Sequence, residues 1–156
     1  MNKKSVAKLK KKKPRRESMR KLKARCWSIF SIYIRLRDCI ATTGSPDWGE
    51  CITCSASLPF KELQAGHFVP KHSGNYFSER GVHAQCLTCN LYGRDRQVKG
   101  MPLEYRRQII KLYGDGADLE LENEARQIRK FTPIELENMM ADYKNKIKEL
   151  KEKNKI

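Results

Sequence analysis

The chain has 156 residues, 39 % of them hydrophobic, which suits one small domain, and a formal charge of +15 that points to a polyanionic partner and away from a small-molecule substrate. The longest uncharged run of the first amphipathic segment, Cys26 to Ile34, is far short of a membrane span. Met1 to Arg25 carries charge without an apolar stretch, so a secretory leader is not expected and the six cysteines suit a reducing cytoplasm better than a three-disulfide framework.

The charge is concentrated at the start. Residues 1–25 hold thirteen Lys or Arg against the single acid Glu17, so the other residues together carry only +3. Residues 1–16 cannot offset the entropy of ordering by burial and are expected to form a disordered basic arm. Its Lys10, Lys11, Lys12, Lys13, Arg15 and Arg16 are candidates to neutralise phosphates and release counterions; the alternative is a solubilising tail with no specific role. A single domain is expected over 17–150, opening with a helix from Glu17 to about Arg37. Leu22, Cys26, Ile29, Phe30, Tyr33 and Leu36 recur along it at three- and four-residue steps, a stripe that reads as core or dimer seam. Cys26 and Cys39 read as core-facing thiols, and Ala41 to Glu50 as a loop.

The stretch from Cys51 to Asn90 carries the chemistry. Cys51-Ile52-Thr53-Cys54 and Cys86-Leu87-Thr88-Cys89 are two Cys-x2-Cys pairs, which read as one four-cysteine zinc site that clamps distant parts of the chain together. Zinc would supply much of the stability of so small a core, set here at 51–100. Leu63 to Phe68 and Gly81 to Gln85 read as two strands of a hairpin leading into a helix at Cys89-Asn90, which brings Gly66-His67 and Asn90 together. An imidazole is suited to take a proton from water near neutral pH, and an asparagine carbonyl is a hard ligand for Mg²⁺ or Mn²⁺. His67 is therefore a candidate base and Asn90 a candidate metal ligand; a structural histidine, and a helix cap or knuckle residue, are the alternatives. His83 can serve metal, phosphate or packing. Lys71, Arg80, Arg94 and Arg96 are candidate phosphate contacts against the default of a solvated basic face.

Three helices are expected downstream: Pro102 to Tyr113, ending at Gly114; Asp118 to Lys130; and one capped by Thr132 with Pro133 first and Glu135 three residues on. The last carries Ile134, Leu136, Met139, Met140, Tyr143, Ile147 and Leu150, with 151–156 expected to fray.

Cys-x2-Cys, Gly66-His67 and Cys-x2-Cys-Asn90 resemble the HNH, or ββα-metal, nuclease finger in its zinc-bound form, as in endonuclease VII. More closely, Ala65-Gly66-His67-Phe68, the run Phe77 to Cys86, Cys89-Asn90 and Leu103-Glu104-Tyr105 are similar to the NinG (Rap) recombination proteins of lambdoid phages. The resemblance covers roughly Trp27 to Leu150. It implies an α+β fold, a zinc-clamped ββα finger flanked by helices, and a metal-dependent endonuclease cutting branched DNA such as Holliday junctions or D-loops inside an infected or lysogenic host. His67, Asn90 and His83 would do the chemistry, Cys51, Cys54, Cys86 and Cys89 would hold structural Zn²⁺, and Asn90 would hold catalytic Mg²⁺ or Mn²⁺. Two cuts per junction imply a homodimer. The chain departs from the pattern at Gly66, where many such fingers place a metal-binding Asp or His, at Gly81, where a loop-orienting asparagine is usual, and in the longer segment Leu91 to Lys99. A catalytically silent zinc module on branched or single-stranded DNA, and a nuclease without junction preference, are the rival readings.

Overall fold

The computed structural model describes residues 17–92 and 101–154. The arm residues Lys10, Lys11, Lys12, Lys13, Arg15 and Arg16, together with Arg94 and Arg96, lie outside the described residues.

Helix α1, Met19–Thr43, starts on Ser18, whose side chain accepts from the Lys21 N–H, and stops at Gly44, whose φ of 71° only glycine adopts freely. It runs more than a full turn beyond the expected end because Asp38 and Cys39 are buried and the threonines that suggest a loop bond backward. Thr42 Oγ1 donates to the Asp38 carbonyl at 2.8 Å and accepts from Glu50 N, while Thr43 Oγ1 donates to the Trp48 carbonyl at 2.7 Å. These bonds tie the helix end to β1 (Trp48–Glu50), which lies in the segment expected to be a loop and pairs with β2 (Ser57–Pro59). Gly49 lets β1 lie against α1, since a Cβ there would be 2.5 Å from Cys39 Sγ.

The second hairpin joins β3 (Leu63–His67) and β4 (Val82–Cys86), with Gly66 opposite His83 and His67 opposite Val82. The two-residue period of a strand puts Leu63, Ala65, His67, Val82 and Ala84 toward α1, and Gln64, Gly66, His83 and Gln85 on the other face. A π-helical turn, Thr88–Tyr92, follows β4 directly.

Helix α2 is Pro102–Tyr113, as expected. Helix α3 is Ala117–Arg126, shorter than expected. Gln127 turns extended there because the chain must cross the β3–β4 loop: Ser73 Oγ accepts from Arg129 N, and a Cβ on Gly74 would collide with the Glu124 carbonyl. Helix α4, Pro133–Lys153, opens with the reciprocal Thr132–Glu135 capping box and continues through Lys151 to Lys153, which were expected to fray. An ion pair between Lys148 and Glu152 spans its last turns.

The stripe on α1 is core rather than a seam. Leu22, Cys26, Phe30, Tyr33 and Ile34 meet Leu136, Met140 and Tyr143 of α4, with Phe77 and Val82 closing the cluster. A second cluster, Phe68, Tyr105, Ile109, Ala117 and Leu121, seats α2 and α3 on the hairpin. The fold is α+β, and no helix among the described residues is long and apolar enough to cross a membrane.

Candidate metal centre and the adjoining pocket

The β1–β2 loop is the first cysteine knuckle. Cys51 N donates to the Ala56 carbonyl and Ser55 N to the Cys51 carbonyl, with Ser55 at a φ of 58°, so the turn closes tightly enough to aim Cys51 and Cys54 the same way. The second knuckle leaves β4, where Cys89 N donates to Cys86 Sγ at 3.3 Å. All four sulfurs lie within 4.8 Å of one another, with Cys54 and Cys86 Sγ 3.9 Å apart. Tetrahedral zinc with Zn–S bonds of about 2.3 Å sets sulfurs roughly 3.8 Å apart, so the cluster fits that ion. Its electrostatics fit too. Burial, and then the crowding of neighbouring sulfurs, push the Cys89 thiol far up, and Cys54 is raised likewise. At Cys51 the penalty of burial is outweighed by hydrogen bonds from the Cys86, Cys54 and Thr53 backbone, which bring its thiol down. Four thiolates this close need a dication to hold them ionised. Ile52 N donates to the Ala84 carbonyl, so the clamp also fixes the first knuckle against β4.

At the other end of β3 stands His67. Its ring stacks on Trp27 of α1, centroids 5.1 Å apart and planes 11° from parallel, and Nε2 is 3.3 Å from the Tyr76 carbonyl. A carbonyl only accepts, so Nε2 holds the proton of the neutral ring and Nδ1 keeps the lone pair. Desolvation brings the imidazole from 6.5 down to about 4; the Tyr76 and Asn75 backbone contacts oppose that shift, and the Lys71 ammonium adds to it. The loop that delivers Tyr76 is held by buried Asn75, whose amide donates to the Val69 and Pro70 carbonyls and accepts from His72 N. The loop-ordering asparagine expected in place of Gly81 is thus supplied by Asn75, earlier in the same loop. Behind His67, the buried Tyr105 hydroxyl donates to the Gly66 carbonyl at 3.0 Å and pins the backbone one residue before the imidazole.

Asn90 sits on the π-helical turn beside Cys89. Its Nδ2 donates to Gln64 Oε1 at 2.7 Å, so the side chain caps no helix and its carbonyl oxygen is turned toward Gly66. A Cβ on Gly66 would be 2.8 Å from that oxygen and would collide with Gln85 Oε1. Gly66 is a cradle filled by two amide oxygens, the chemistry a hard divalent cation takes. His67, Asn90, Gln85, Trp27, Lys71 and Tyr105 line one cavity of about 580 Å³. Lys71 Nζ lies 5.0 Å from the Tyr76 ring centroid and Lys23 Nζ 3.8 Å from it, and burial together with the charge of Lys71 lowers the Lys23 ammonium.

Two candidate residues are elsewhere. His83 does not line the cavity: its Nδ1 is 3.1 Å from Asp38 Oδ2 and its Nε2 3.0 Å from the Tyr113 hydroxyl, so it joins α1, β4 and α2 instead of sharing a site with His67. Arg80 pairs with Glu120 at 3.0 Å and lies over the Tyr113 ring. Sequence reasoning missed Trp27, Gln85, Asn75 and Lys23. A glutamine directly before the second cysteine pair was the one available signal; Trp27 and Lys23 come from a helix whose face toward His67 only the tertiary fold defines.

A family model described as "Bacteriophage Lambda NinG protein" matches residues 1–153. Among curated proteins, the chain is similar to "Protein ninG" of Salmonella phage P22, 30% identical over 104 residues, which is 65% of this chain and 48% of that protein. It is similar to "Protein ninG" of Escherichia phage lambda at 30% over 103 residues, 65% of this chain and 47% of that one. The chain spans about half the length of the curated relatives it matches. No solved structure matches.

Proposed function

Because the chain belongs to the NinG family of bacteriophage proteins, we propose that it is a metal-dependent DNA endonuclease of recombination that cuts branched intermediates such as Holliday junctions and D-loops. One observation carries this reading: an imidazole kept uncharged by burial shares a cavity with two amide oxygens that converge on Gly66. The order β3, β4 and helical turn, closed by the cysteine cluster, supports the ββα finger to which the motif was likened.

In the proposed reaction His67 Nδ1 takes a proton from water, whose oxygen attacks phosphorus as the bond to the 3′ oxygen breaks. The Tyr76 carbonyl, by holding the Nε2 proton, keeps the ring in the tautomer able to do so, and the Trp27 stack fixes its plane. Lys23 and Lys71, which have no acidic partner among the described residues, are set to hold substrate phosphate beside the imidazole. Mg²⁺ or Mn²⁺ at Asn90 would neutralise charge on the phosphoryl group and the departing oxygen. Cys51, Cys54, Cys86 and Cys89 would hold Zn²⁺ purely as structure, and a homodimer would deliver the paired cuts.

The test is a His67→Ala protein on a four-way junction with Mg²⁺. Binding should persist while cutting falls by about 10²-fold or more. A wild type that binds junctions and cuts none with any divalent ion would make the protein a silent zinc module. Equal cutting of a linear duplex of the same length and salt would remove the junction preference.

A further inference from the structure

The residue before His67 contributes no ligand, and Asn90 alone offers one protein oxygen. From the facing strand, however, Gln85 reaches under Gly66. Its Nε2 donates to Thr53 Oγ1 at 2.6 Å, which anchors the amide and turns Oε1 into the space a Gly66 Cβ would fill. Gln85 is 2 % exposed, so this orientation is imposed by the interior and is not a surface rotamer. Asn90 is oriented by the same logic: its Nδ2 donates to Gln64 Oε1, which turns its carbonyl oxygen toward Gly66. Two carbonyl oxygens, each fixed through its own nitrogen, converge on one glycine at the wall of the His67 cavity. Two carbonyl oxygens brought to one point repel, and a shared cation is what turns that repulsion into attraction.

The geometry points to Gln85 Oε1 and Asn90 Oδ1 as a paired ligand set for a hard divalent cation, with Gly66 kept free of a side chain so that both amides can approach. The site rests on the endonuclease reading for its role, though its existence does not depend on DNA being cut. A cation taking two neutral oxygens retains most of its waters, which suits Mg²⁺ or Mn²⁺ and argues for weak binding in the absence of phosphate. Thr53 lies between Cys51 and Cys54, so the zinc knuckle would set the aim of this ligand through the Thr53–Gln85 bond.

The probe is Mn²⁺ added to the zinc-loaded full chain without DNA, read by the loss of the free-ion electron paramagnetic resonance signal. One Mn²⁺ should bind per chain. Gln85→Leu and Asn90→Ala should each weaken it about tenfold or more, at unchanged zinc content. Gln85→Glu, whose carboxylate would accept from the Thr53 hydroxyl where the glutamine amide donates to it and which adds a negative oxygen, should tighten it by several-fold and guards against a Gln85→Leu protein that fails to fold. Gly66→Ala should behave like Gln85→Leu. Mn²⁺ affinity identical in wild type, Gln85→Leu and Gln85→Glu overturns the assignment, and if wild type still cuts junctions the endonuclease reading survives it. Mn²⁺ binding that follows Gln85 in a protein that never cuts leaves the site standing and removes the endonuclease. Failure of wild type both to bind Mn²⁺ and to cut defeats the two together.

Discussion

Burial of the His67 ring gives a pH dependence whose size and sign can be stated in advance. In the unfolded chain the imidazole takes a proton as pH falls through about 6.5. In the folded chain it refuses one until about 4, because protonation would place a charge away from water and close to Lys71. Between those values the unfolded state binds more protons, so stability falls as pH falls. The contribution is fully present above about 6.5 and gone below about 4, and at roughly 1.4 kcal/mol per pH unit it amounts to about 3 kcal/mol, of which about 2 kcal/mol is lost by pH 5. Urea denaturation at pH 7 and pH 5, in wild type and His67→Gln, isolates the effect, since losses from the cysteine cluster are common to both. The wild type should lose about 2 kcal/mol more than the variant, and the ring nitrogens of labelled His67 should show no titration above about pH 5. An imidazole that titrates near 6.5, or equal losses in the two proteins, would refute the argument that burial keeps this ring neutral.

Other outcomes follow from the same packing and electrostatics. Asp38 accepts from Ala84 N at 2.7 Å and lies against Arg37 and His83. Burial would raise its carboxyl, but His83 and Arg37 outweigh that and hold it below the usual range. Asp38→Asn should therefore cost about 3 kcal/mol at neutral pH by stranding Arg37, and should flatten the loss of stability that wild type shows below about pH 4, both read by denaturation. Chelating zinc should abolish the Trp27–His67 stack, seen as a change in tryptophan fluorescence, while helical circular dichroism largely survives, because the α1–α4 cluster contains no residue of the cysteine site. Thr132→Ala removes the side-chain half of the capping box and should lower stability by about 1 kcal/mol. Deleting residues 1–16 removes nine Lys and Arg, and if they neutralise phosphates the salt dependence of DNA binding should become shallower by up to about 0.9 for each phosphate left unneutralised.

What can be read from the chain alone is whatever local chemistry dictates. The cysteine spacing, the capping box at Thr132, the helix from Pro102 and the apolar stripe of α1 are signals carried within one or two turns of chain, and each has its place in the structure. The end of α1 differs from expectation because Thr42 and Thr43 favour loops by propensity and are helical here through bonds to a strand several residues on. The β1–β2 hairpin is invisible for a related reason: three-residue strands are too short for alternation to register. At the pocket, His67 and Asn90 stand out as residue types, while Gln85 and Trp27 matter through register and helix packing, which no periodicity encodes. For His83 the sequence leaves metal, phosphate and packing open, because strand alternation alone does not say which face a neighbouring helix covers; its bonds to Asp38 and Tyr113 are those of packing.

Trp27 belongs to the helix whose first turn begins just after the basic arm. From Ser18 to Trp27 a straight helix advances about 14 Å. Because α1 carries both Trp27 and the residues that meet α4, any loosening of the α1–α4 core would be felt as a tilt of the plane on which the His67 ring rests.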